Sequence, residues 1–296
     1  MPTPTVRRLQ LGNELRHLRR RAGVDNLEEA GRIIERSAAV MSRLEHGETG
    51  LRNRDLRDLV EYFTARIEAR GDGGEPVDLD WYMELNRGAE QRGRWTGYRS
   101  QYPKYFRVAV DLEADASMIN SYQTEVIHGL LQTEEYMRAL FTDAKARAAD
   151  QTTDNLIKSR LERQQVLTRP DAPVITIIQS ESCIRRMVGN HKIMRNQLRY
   201  LADMALLPNV HLHVAQFEAR ASGGVSFPFA WFRVPAANPT TPPLEFVYVE
   251  TYTAGDYLDG LDDVQIYSGL WGEMLGAALD PVESRDFLLR TAEWFL

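Results

Sequence analysis

The chain has 296 residues, 43% of them hydrophobic, with one cysteine and a formal net charge of −6; that is enough for about two domains, and it excludes a disulfide-stapled scaffold. No stretch approaches the ~18 apolar residues of a membrane span, and Met1 to Arg8 lacks the apolar run of a signal peptide, so a soluble protein of the reducing cytoplasm is expected. Residues 1–70 hold 14 arginines and no lysine against 11 acidic residues, a local +3, while the remainder carries −9, which confines any phosphate contact to the first quarter of the chain.

In chain order, Leu11, Leu15, Leu18 and Ala22 recur at steps of four, three and four on one face of a first helix, with Arg16 and Arg20 on the other. Gly23 suits a left-handed cap, and Asn26 is placed to cap a second helix that carries Glu28 and Glu29 in its first turn. Ser37 is placed to cap a third helix whose inward residues are Val40, Met41 and Leu44, which leaves Ala39, Ser42, Arg43 and His46 opposite; Gly47 ends it. Small and polar residues on that outer face are what reading a major groove demands, because bulky ones would hold the helix out. Glycines and a proline over Gly71 to Pro76 cannot continue a helix, so a small all-α domain is expected over 1–70. Residues 71–110 carry Trp81, Tyr82, Trp95, Tyr98, Tyr102, Tyr105 and Phe106, too apolar for a free linker, and read as a linker with bridging helices. Over 111–296 strands are expected at Val174–Ile178, Val210–Val214, Phe229–Val234 and Phe246–Glu250, and helices at Asp154–Thr168, His191–Leu206 and Glu283–Phe295. The expected fold is therefore an N-terminal all-α helix-turn-helix domain followed by a larger α+β domain.

The segment Leu11 to Phe63, with Ala30 at the tight helix contact and Ser42-Arg43-Leu44-Glu45-His46-Gly47 closing the third helix, resembles the XRE/Cro (lambda repressor-like) regulators. That resemblance implies a pair between Glu45 and Arg19, phosphate contacts from Asn26 and Ser37, and base edges faced by Ala38, Ala39, Ser42 and Arg43. Arg43 is the strongest candidate, since a guanidinium can donate two hydrogen bonds to guanine O6 and N7; His46, Arg52 and Arg54 complete the candidate DNA surface. Two departures stand out. Ala38 and Ala39 occupy places where relatives often carry glutamine, and Ile34 stands where the turn usually has glycine, with the turn one residue longer before Ser37. The implied partners are a double-stranded DNA operator and a second copy of the chain, since two heads about one helical turn apart read a palindrome.

A second resemblance runs from about Trp95 to the end. Ile127-His128-Gly129-Leu130-Leu131-Gln132-Thr133-Glu134-Glu135-Tyr136 is similar to the Pro-Gly-Leu-Leu-Gln-Thr-x-x-Tyr motif of actinobacterial XRE regulators whose large domain has no assigned role, with His128 in place of the proline. Arg160, Arg163, Gln164, Glu181, Arg185, Gly189, Gln197, Pro208, Asn209, the Phe227-Pro228-Phe229 segment and Glu250 match as well. The resemblance implies a sensor or partner-binding domain, in some relatives beside a small protein encoded nearby. Arg160, Arg163, Glu181, Arg185 and Glu250 are candidate ligand or partner contacts; the other account of them is a buried ion-pair network.

Enzyme chemistry lacks its usual parts. His211 and His213 share a strand face but show no third ligand; Cys183 has a positive neighbour in Arg185 but stands alone; no phosphate-binding loop or nucleophile turn occurs. A non-enzyme without metal or cofactor is expected. The competing class is an antitoxin-like or scaffold protein acting mainly by holding a small protein partner.

Overall fold

A computed structural model describes residues 4–72, 74–89, 102–143, 153–219, 227–251 and 253–296. The chain divides into two compact units, Met1–Thr96 with Val234–Leu244, and Gly97–Arg233 with Glu245–Leu296.

The first unit is helical: α1 (Pro4–Arg21), α2 (Leu27–Ile33), α3 (Ala38–Glu45), α4 (Asn53–Ala69) and α5 (Leu79–Ala89). The face expected to turn inward does so, with Leu11, Leu15, Leu18 and Ala22 buried against Ala30, Met41, Leu44, Leu56, Leu59 and Phe63. Chain direction changes where the residue types permit it. Gly23 and Gly47 adopt φ of +70° and +66°, Asn26 Oδ1 accepts from the Glu28 amide at 2.7 Å, and Ser37 Oγ accepts from the Val40 amide at 3.4 Å. The bridging role expected of the aromatic run does not describe α5, because Tyr82 is buried in this core with Trp81, Met83 and Leu85 packed against it. Asn86 fastens the helix by donating to the Leu51 carbonyl and to Asn53 Oδ1, both at 2.9 Å. Trp95, Tyr98 and Gly73 lie outside the described residues.

The unit is completed from far along the chain. On α1, Gln10 donates to the Pro235 carbonyl at 2.8 Å and Asn13 to the Pro242 carbonyl at 3.0 Å. The Glu14 carboxylate, 1% exposed, accepts from the Asn238 amide at 2.9 Å and from Thr241 Oγ1 at 2.6 Å.

The second unit is α+β. Its six-stranded sheet has the order β3 (Val210–Ala215), β2 (Val174–Ser180), β1 (Met118–Gln123), β4 (Phe229–Val234), β5 (Leu244–Glu250), β6 (Gly255–Leu258). β1 pairs parallel to β2 and β2 parallel to β3, while β1 pairs antiparallel to β4 and β5 antiparallel to β6. The parallel pairs enclose helical crossovers, as parallel neighbours require: α7 (Glu134–Asp143) and α8 (Thr153–Gln164) between β1 and β2, and α9 (Glu181–Arg185) and α10 (His191–Met204) between β2 and β3. α6 (Arg107–Asp115) precedes the sheet, and α11 (Leu261–Ala277) and α12 (Pro281–Ala292) follow it. The four expected strands and three expected helices are present. β1 escaped the apolar-run test because Asn120 and Ser121 interrupt it, although both are buried; Ser121 Oγ is satisfied by the Phe229 carbonyl at 3.4 Å. β6 is a short edge strand with little apolar content.

Candidate nucleic-acid interface

On α3, Met41 and Leu44 turn inward as expected, while Val40, also expected inward, is half-buried. Met41, Leu44 and Glu45 are buried, Ala38, Ser42 and His46 are half-buried, and Ala39 and Arg43 are exposed. What fixes this face lies beneath it. Arg19, 5% exposed, donates from Nε to Glu45 Oε1 at 2.6 Å and from Nη2 to Glu45 Oε2 at 3.0 Å, a two-pronged pair that sets α3 against α1. The third arm, Nη1, donates to the Val24 and Asp25 carbonyls at 2.6 and 3.2 Å and holds the turn into α2. Arg16 Nε adds a second cation 3.7 Å from Glu45 Oε2.

Gly12 is the contact residue that sequence reasoning passed over. A Cβ there would stand 2.7 Å from the Leu44 carbonyl oxygen and collide with that of Glu45, so α1 and α3 touch backbone to backbone. A glycine interrupting the apolar repeat of α1 was the available signal. The lengthened turn resolves similarly. Ile34 is buried and right-handed in φ, and the left-handed position falls one residue later, on Glu35 at φ 54°. Gly31 permits this, since any Cβ there would collide with the Arg36 carbonyl.

The remaining candidates lie at or next to helix ends. Asn26 and Ser37 are exposed, and each uses its side-chain oxygen as an acceptor in a helix cap, which leaves the amide N–H2 and the hydroxyl proton to donate to phosphate. His46 Nδ1 lies 2.6 Å from the Ser42 carbonyl, so that nitrogen carries the donating proton and the ring is oriented. Arg52 and Arg54 are exposed at the start of α4. Arg54 Nε is 3.8 Å from Asp58 at 89% side-chain exposure, a surface pair too weak to hold it from a phosphate. Arg32, Arg36 and Arg57 are exposed as well.

In the second unit the structure separates the five charged candidates. Glu181 and Arg185 pair with each other on α9, where Glu181 also accepts from the Phe217 amide at 2.9 Å and Arg185 lies 4.0 Å from the Trp294 ring centre. Arg163 is buried in an ion pair with Glu113 Oε2 at 3.2 Å, and Arg160 donates to Gln132 Oε1 at 2.5 Å while stacking over Phe141. Glu250 is exposed and accepts from Tyr248 at 3.2 Å. Glu113, unnoticed in the sequence, is buried on α6 between Leu112 and Ala114; burial raises its pKa against the opposing pull of Arg163 and Arg160. Burial, then those same two charges, holds His128 down to about 3. The Gly-Leu-Leu-Gln-Thr-x-x-Tyr motif is accounted for structurally. Gln132 donates to the Ile127 carbonyl at 2.6 Å, Thr133 caps the Tyr136 amide at 3.3 Å, and Gln197 donates to the Leu131 carbonyl at 2.7 Å.

Two of the groups weighed for enzyme chemistry have hydrogen-bond partners in the second unit. His213 Nδ1 lies 2.9 Å from the Leu279 carbonyl, and Cys183 is buried, with its thiol pushed up to about 12 by burial and donating to the Gln123 carbonyl at 3.2 Å. Among the described residues no helix is long and apolar enough to cross a membrane, and no group of three or more His, Cys, Asp or Glu side chains is placed to hold a metal ion.

Comparison with known families gives two matches. A helix-turn-helix domain model matches residues 10–70, and a model described as a domain of unknown function, DUF5753, matches residues 106–290. No curated protein and no solved structure matches the chain.

Proposed function

We propose that this chain, which belongs to the DUF5753 family and carries an N-terminal helix-turn-helix domain, is a sequence-specific transcriptional regulator of the XRE type rather than an enzyme. The observation that carries the reading is the α3 face of Ala39, Ser42 and Arg43, small or polar and outward, backed by the buried Arg19–Glu45 pair. Such a face enters a major groove without steric cost, and a rigid support makes its approach reproducible. Arg43 reads a guanine; Asn26, Ser37, Arg52 and Arg54 anchor phosphates; Ala38 and Ala39 offer apolar contact to thymine methyls; His46 borders the groove. The protein works as a homodimer in the cytoplasm, with the second unit receiving the signal, a ligand or a small protein partner, as the actinobacterial regulators with a Pro-Gly-Leu-Leu-Gln-Thr-like motif are taken to do.

The test is binding to the chain's own promoter fragment at two salt concentrations, with random DNA as control. Arg43→Ala is expected to weaken promoter binding by about 1–3 kcal/mol and leave the fold unchanged. Equal affinity for promoter and random DNA would reduce the head to a scaffold and turn the search to a protein partner.

A further inference from the structure

Arg160 and Arg163 lie three residues apart on α8, and both side chains turn onto Gly129, within the motif segment that follows β1. A Cβ on Gly129 would collide with Arg163 Nη2, and Arg160 Nη1 stands 3.9 Å from that same point. Two guanidinium ends therefore converge on Gly129, and that of Arg163 fills the place its side chain would take.

Several polar atoms around Gly129 make no hydrogen bond. Arg163, 5% exposed, is ion-paired with Glu113 Oε2 at 3.2 Å, yet its Nε and Nη1 and that carboxylate oxygen are buried without one. The Tyr102 hydroxyl is likewise buried and unsatisfied, and the Tyr102 ring lies 5.7 Å from the Arg163 guanidinium carbon. Buried N–H and O–H donors are normally satisfied, so a concentration of unsatisfied ones needs an explanation. Charge points the same way. Two cations held together repel, which shows in Arg160, brought down to about 10 by burial and by Arg163 against the pull of Tyr102, Glu250 and Glu113. Glu113 is buried beside Arg163, and burial raises its pKa against the pull of both arginines.

We infer that Gly129, Arg160, Arg163 and Tyr102 form a receptor for a small organic anion, whose carboxylate or phosphate group accepts forked hydrogen bonds from the two guanidinium groups and one from the tyrosine hydroxyl. The inference rests on the reading of the second unit as the signal-receiving part and narrows it: Glu181 and Arg185, paired on α9, take no share. Gly129 is required because the Arg163 guanidinium occupies the place where a side chain would stand.

The experiment is calorimetric titration of the purified full-length chain with inorganic phosphate and, separately, with succinate, at constant ionic strength made up with chloride. Saturable binding of at least one is expected, weakened tenfold or more in Arg160→Gln and measurably in Tyr102→Phe, while the anion-free melting temperatures stay close to that of the wild type. The anion that binds assigns the class, phosphate ester or carboxylate. Absence of saturable binding with both, or undiminished binding in Arg160→Gln, overturns the inference and leaves a structural arginine pair. Promoter binding on the same preparation separates the two readings. Loss of promoter selectivity with anion binding intact refutes the regulator, and the reverse result refutes only the receptor.

Discussion

Replacing Glu45 with alanine isolates the support of α3. The substitution deletes both acceptors of Arg19, whose guanidinium is buried with side-chain exposures of 6% and 4% across the pair, and it removes the carboxylate facing Arg16. Nη1 keeps its carbonyls on Val24 and Asp25, but Nε and Nη2 remain charged, buried and without partners. Breaking a buried pair from one side costs about 3–5 kcal/mol, whereas replacing both members by apolar residues of similar volume is near neutral. Glu45→Ala should therefore destabilise the first unit by about 3–5 kcal/mol, and Arg19→Met with Glu45→Leu should recover most of that loss. Hydrogen exchange of the α1 and α3 amides in the full-length chain reads the first unit separately from the second. A loss below about 1 kcal/mol for Glu45→Ala, or a double variant as unstable as the single one, would refute the argument that the pair carries the α1–α3 geometry.

Three further outcomes follow from the packing. Gly12→Ala should destabilise by about 1–3 kcal/mol in denaturant unfolding because its Cβ meets backbone that cannot yield. Gly269→Ala in α11, where nothing lies within 4 Å of the new Cβ, should instead stabilise by about 0.5–1 kcal/mol through helix propensity. Acid should weaken the second unit through His128: its folded pKa of about 3 lies below the ordinary 6.5, so between those values the unfolded chain binds a proton that the native one refuses, and stability falls as pH falls. From pH 7 to pH 5 that amounts to about 2 kcal/mol. His128→Asn should flatten that part of the profile, and since Glu113 is present in both proteins its opposite contribution cancels; parallel profiles would show that His128 is not held neutral.

The head was legible because its instructions are local. Caps, a left-handed glycine and an apolar repeat act within a few residues, so Asn26, Ser37, Gly23 and the α1 face could be placed from spacing, and the family resemblance supplied the Arg19–Glu45 pair. The shift of the left-handed position to Glu35 was beyond spacing alone, since it depends on Gly31 yielding to the Arg36 carbonyl. In the second unit, apolar runs marked β2 to β5, but β1 hides its burial behind Asn120 and Ser121, and the Ser121 hydroxyl finds its Phe229 carbonyl only once the sheet exists. Arg160, Arg163, Glu181 and Arg185 are equivalent as letters. Only the fold shows that two of them close on each other while the other two gather around Gly129.

The segment Val234–Leu244 gives the first unit an unusual order of assembly. Glu14 and Thr241 are separated by 227 residues, and a ribosome adding about 5–20 residues per second needs roughly 10–45 s to deliver the second after the first. For that interval α1 emerges with its Glu14 carboxylate unmatched, and burial of that group raises its pKa when its partners arrive. A reading head at the start of a chain would ordinarily be finished first; this one is finished only after most of the second unit has been made. Chains that stop short of Thr241 therefore leave Glu14 without that partner, and α1 is then held by its apolar face and the Arg19–Glu45 pair.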